Sequence, residues 1–113
     1  MTADSPHLST DAGPSCPPEV KDWILTQAFT RLQQRQYIDS LTLLRGLAVL
    51  TPQDADVFGM LSYVLLMADL PEECIQAAEH YLQCIPPDTD TKEIEWIRGR
   101  AHVRLEKASA DGS

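Results

Sequence analysis

Three cysteines, three histidines and one pair of adjacent acids are the residues of this chain best equipped for chemistry. A thiolate attacks electrophiles or binds metal, and an imidazole moves protons or ligates. Cys16, Cys74 and Cys84 form no Cys-x-x-Cys motif, and His7, His80 and His102 have no metal-ligand spacing. A nucleophilic cysteine needs a nearby base and an electropositive setting, and the neighbours of Cys74 supply neither. Glu72-Glu73 has the makings of an acid/base pair, but its place behind Pro71 suits solvated acids in the first turn of a helix. His80 reads as a surface residue and His7 falls in a polar tail. No Gly-rich phosphate loop occurs. The chain is therefore expected to have no catalytic set, no metal site and no cofactor. An odd cysteine count fits free thiols in a reducing cytosol.

Charge and composition narrow the classes further. The 113 residues suffice for one small domain with one core, and 43% are apolar. A formal net charge of −8 argues against nucleic acid, because neutralising phosphates takes a basic face. It also argues against an anionic membrane surface, while it keeps a small protein soluble and steers basic partners. No apolar run reaches the length of a membrane span. The start of the chain lacks the basic segment and apolar run of a secretory signal. Lys92, Arg98, Arg100, Arg104 and Lys107 concentrate the positive charge near the C-terminus, where a solvated outer face or a contact with acidic partner residues are both open readings.

The elements that would position these residues are all helical. Residues 1–18, rich in Pro and Ser, read as a disordered tail, and 109–113 as a frayed end. Between them, residues 19–108 divide into five helices: about Pro18–Gln34, Tyr37–Leu50, Pro52–Ala68, Pro71–Cys84 and Thr91–Ala108. In the second, Ile38, Leu41, Leu44 and Leu47 recur at helical spacing. Thr51 followed by Pro52 is a cap and first position for the third. Asp90 followed by Glu93 suggests a capping box on the fifth. Short loops require antiparallel neighbours. The expected class is all-α.

The chain repeats on itself. At an offset of 34, Pro52 falls on Pro86, Ser40 on Cys74, Ala28 on Ser62, Leu32 on Leu66 and Leu44 on Ala78. At an offset of 73, "ILTQAFTRLQ" falls on "IRGRAHVRLE", with "PPDTD" absorbing the extra length. A helix-turn-helix period of 34 residues, carried by "YIDSLTLLRGLAVLTP" and "PEECIQAAEHYLQCIP", resembles the tetratricopeptide repeat over residues 21–108. Small residues stand where that family crosses helices closely (Ala28, Ser62, Ser40, Cys74), Tyr37 supplies an aromatic, and Pro52 and Pro86 follow the second helices. Pro71, Gln27, Arg31 and Arg35 depart from the pattern, the last standing where Gly is common. An unrelated five-helix bundle is the alternative architecture.

The resemblance implies a helical solenoid of two repeats plus a C-terminal helix, its first helices lining a concave groove. Carried over position by position, the groove comprises Leu25, Phe29, Leu32, Gly59, Tyr63, Leu66, Met67, Arg98 and His102, with Leu105 at its margin. These residues suit an apolar or amphipathic segment of a protein partner rather than a carboxylate clamp. Small acidic proteins of two to three such repeats are similar to the cytosolic chaperones of bacterial type III secretion, the Y-class assembly chaperones above all. That likeness implies a heterodimer with a secreted or export-apparatus subunit. A self-associating scaffold or regulator, dimerising through the wide apolar arc of the first helix, is the second reading.

Overall fold

The computed structural model describes residues 16–112, with side chains through Ala110. It contains five helices: α1 Pro18–Gln33, α2 Tyr37–Leu50, α3 Ala55–Met67, α4 Pro71–Cys84 and α5 Lys92–Gly112. No strand occurs among the described residues. Each helix packs on its neighbours in the chain, and α3 also touches α5. Most of the expected tail, residues 1–15, lies outside the described part.

Proline opens α1 and α4, where its missing N–H would have no intrahelical acceptor. Acids in the first turn of every helix answer the positive end of the dipole. The start of α3 corrects the expectation from sequence. It begins at Ala55, not Pro52, and its cap is Asp54, whose Oδ1 accepts from the Asp56 N–H at 3.0 Å. Thr51 instead turns its hydroxyl back to Leu47 O at 2.8 Å. Pro52 sits in the turn, and its carbonyl accepts from His80 Nε2–H at 2.6 Å. His80 is thus a half-buried strap from α4 to that turn, with its ring 4.1 Å from that of Phe58. At α5, Asp90 Oδ1 accepts from the Lys92 N–H at 3.0 Å, but Glu93 returns no bond, so no reciprocal box forms. The helix then continues to Gly112, through residues expected to fray.

The turns closing α1 and α3 share one design. Arg35 and Asp69 both take positive φ, 61° and 64°. The Arg35 N–H donates to Leu32 O and the Gln36 N–H to Arg31 O. Asp69 to Leu66 O and Leu70 to Leu65 O repeat these bonds 34 residues later. This is the Schellman arrangement, which satisfies the last carbonyls of a helix and reverses the chain in two residues.

Close crossings need small side chains, and six small residues have no exposed surface. Ala28, Ser62 and Ala101 are fully buried on α1, α3 and α5, as are Ser40, Cys74 and Ala78 on α2 and α4. Ser40 Oγ donates to Ala28 O at 2.8 Å across the α1–α2 crossing. Ser62 Oγ donates to Gly59 O at 2.8 Å. Leu41, Leu44, Leu61, Val64, Leu65, Ile94 and Ile97 fill the space between crossings. Trp23 and Trp96 lie on the outer helices, 62% and 57% exposed.

Candidate functional site

Two adjoining hollows open between α1, α3 and α5. The larger, about 410 Å³, is lined by Phe29, Leu32, Gly59, Met60, Tyr63, Tyr81, Asp90, Glu93, Ile94 and Ile97. The smaller, about 360 Å³, is lined by Phe29, Leu32, Gln33, Arg35, Tyr37, Tyr63 and Met67. Phe29, Leu32 and Tyr63 belong to both, so the two form one groove with an apolar floor.

Helical spacing explains the floor. Phe29 and Leu32 are three residues apart on one face of α1, as are Met60 and Tyr63 on α3 and Ile94 and Ile97 on α5. Gly59 permits a fourth helix to contribute. A Cβ built there would stand 3.3 Å from Tyr81 Cε1 and 3.4 Å from its Cδ1, closer than most side-chain contacts allow. The bare backbone of α3 therefore lets the Tyr81 ring of α4 lean into the groove. Phe29 is 47% exposed and Tyr63 36%, so both rings offer surface without leaving the groove wall.

Of the residues expected to line a groove, the structure brings together Phe29, Leu32, Gly59, Tyr63 and Met67. Leu66 is corrected: at 2% exposure it belongs to the core, because the α5 side of α3 is covered. Leu25 is half-buried and packs on the core cluster without lining either hollow. Arg98 and His102 line neither hollow; α5 presents the turn before them, Ile94 and Ile97, instead. Leu105 likewise sits away from the groove, beside Asp69 and Pro71.

Polar contacts hold the walls in place. Lys21 Nζ of α1 lies 2.7 Å from Asp54 Oδ2 and 3.4 Å from Asp56 Oδ2, tying α1 to the start of α3. The hydrogen bond with Asp54 raises the Lys21 pKa above its usual value despite partial burial. Arg104 of α5 donates to Leu66 O and lies 3.8 Å from Asp69, so it binds the C-terminal end of α3 where the dipole is negative. On the far side, Arg45 of α2 meets both carboxylate oxygens of Glu73 at 2.9 and 3.0 Å.

The residues with reactive side chains are placed apart from the groove. Cys74 of α4 is fully buried and lines neither hollow, and desolvation pushes its thiol up to about 11, against a lowering by Arg104 of α5. A thiol so placed is a poor nucleophile. Among the described residues, no group of three or more His, Cys, Asp or Glu could hold a metal ion. None of the described helices is long and apolar enough to cross a membrane. The groove itself offers an open floor of Phe29, Leu32 and Tyr63. No protein-family model, curated protein or solved structure matches the chain.

Proposed function

We propose that this chain is a non-enzymatic helical-repeat protein of the tetratricopeptide kind that holds an apolar segment of a protein partner in its groove. The carrying observation is the open apolar floor of Phe29, Leu32 and Tyr63, shared by two adjoining hollows. Aromatic and Met side chains at such a place adapt to an apolar segment and resist water. The repeat itself is supported by the recurrence of the α1 turn bonds at α3 with an offset of 34, and by zero exposure at Ala28, Ser62 and Ala101.

Within that reading, the role we favour is that of a cytosolic chaperone or adaptor for a secreted or export-apparatus subunit of bacterial type III secretion. Its support is the acidic charge together with the helical period of 34 residues. The test is affinity capture of the tagged full chain from its own cell, in parallel with the double variant Phe29→Glu/Tyr63→Glu. The expected result is a partner captured one-to-one by the parent chain and lost from the variant, whose circular dichroism stays helical. Equal capture by both would sink the groove assignment.

A second reading has its own observation. Val20 and Trp23 are 44% and 62% exposed on the outer side of α1, a face suited to a second copy. Light scattering separates the two: a stable dimer that Phe29→Glu/Tyr63→Glu leaves intact, and Trp23→Glu dissolves, favours a self-associating scaffold.

A further inference from the structure

The groove carries a different charge at each end. Asp90 and Glu93 wall the larger hollow, and Arg35 walls the smaller one beyond the shared apolar floor. Asp90 gives only Oδ1 to its helix cap. Glu93 and Arg35 enter no ion pair or side-chain hydrogen bond among the described residues. Two unneutralised acids and one unneutralised cation therefore face whatever lies on the floor between them.

We propose that the groove takes one amphipathic helix of a protein partner in a single direction, Lys or Arg of its first turn against Asp90 and Glu93 and an acid of its last turn against Arg35. The proposal rests on the reading of the groove as a partner site. A helix laid this way also points the positive end of its macrodipole at the two acids and its negative end at the guanidinium, so backbone and side chains favour the same direction. Complementary charge of this kind governs orientation and partner choice more than affinity.

The chain's own segments do not fit. Residues 1–15 contain Asp4 and Asp11 but no Lys or Arg, so they bring no permanently charged basic side chain to Asp90 and Glu93. All five of its helices open on acids, which a second copy would place against those same acids. Lys21, near the start of α1, is already held by Asp54, and Lys92 shares its first turn with Glu93 and Glu95. A partner of different sequence is the occupant that the charges accept.

The experiment uses the full chain and three labelled synthetic helices of about four turns with one common apolar face. One carries Lys in the first turn and Glu in the last, one has these swapped, and one has Gln at all of them. Fluorescence anisotropy should show the first binding about tenfold more tightly than the swapped helix at about 0.1 M salt, with the Gln helix between. The swapped helix is the better helix former by its own dipole, so this bias works against the expected order. Asp90→Asn/Glu93→Gln should bring the ratio below about threefold, Asn keeping the cap of α5. Equal binding of all three, abolished by Phe29→Glu, overturns the polarity and leaves the groove reading standing; tighter binding of the swapped helix overturns the direction alone. No binding by any of them, or binding that survives Phe29→Glu, overturns the groove reading together with the proposal.

Discussion

Replacing Arg35 by glycine should make the protein more stable. Arg35 sits at φ 61°, in the left-handed region, where a side chain with a Cβ costs about 1–2 kcal/mol. Glycine removes that cost but gives the unfolded chain more freedom, which takes back about 0.5–1 kcal/mol. The two bonds of the turn, from the N–H groups of Arg35 and Gln36, are backbone bonds and survive. The neighbouring bond from Arg31 Nη1 to Gln36 Oε1 does not involve Arg35. A net gain of about 0.5–1 kcal/mol follows, or about 2–5 °C in Tm for a domain of this size. Arg35→Ala is the control: it removes the guanidinium and keeps the strain, so it should stay within about 0.5 kcal/mol of the parent. Asp69→Gly should gain less than Arg35→Gly, because aspartate tolerates this backbone better and its side chain, 80% exposed, lies 3.8 Å from Arg104. Thermal melts followed at 222 nm and urea melts give the order. A glycine variant no more stable than the alanine variant would refute the assignment of strain to this turn.

Other outcomes follow from the packing. Ser40→Ala should cost about 1 kcal/mol in urea melts, since it removes the bond to Ala28 O across the α1–α2 crossing while leaving little void. Leu44→Ala, at a position with no exposure, should cost about 3 kcal/mol by the same assay. In the native protein at about pH 8, iodoacetamide followed by mass spectrometry should modify Cys16 and Cys84 and spare Cys74, whose thiol burial holds up to about 11. The same raised pKa makes stability fall on the alkaline side. The contribution of neutral Cys74 is full below the unfolded value of 9.0 and is lost as pH climbs toward about 11. Lys21, raised from 10.5 chiefly by its hydrogen bond with Asp54, adds a loss that begins above that unfolded value. Urea midpoints against pH should decline from about pH 9, and Cys74→Ala should move the onset of the decline upward.

The helices written most plainly in the sequence are those whose ends carry their own punctuation. Tyr37–Leu50 and Pro71–Cys84 have the expected bounds, because a reversal before each and a proline within or beyond each leave little freedom. The start of α3 departs from the expected Thr51-Pro52: the cap is Asp54, whose carboxylate is also held by Lys21 from α1. That ion pair is a tertiary contact that no local pattern contains. The groove was legible at Phe29, Leu32, Gly59, Tyr63 and Met67, where position on the first and third helices decides the face. Tyr81 was invisible, since its place depends on the missing Cβ of Gly59. The α5 wall was misplaced by one turn, because an offset aligning Ile24 with Ile97 gives the register of α5 but not how far it slides along α3.

The two tryptophans are the only ones in the chain, and both stand at its outer helices, largely exposed. Intrinsic fluorescence is therefore a reporter of the first and last helices and not of those between them. Emission should already be red-shifted in the folded protein, and melting of the α2–α4 core should change its colour little. A blue shift would mean that something has covered an end helix, and filling the groove from Phe29 to Met67 should leave the spectrum nearly still. One optical channel then distinguishes a partner seated in the groove from another copy seated on an outer helix, without a label on either.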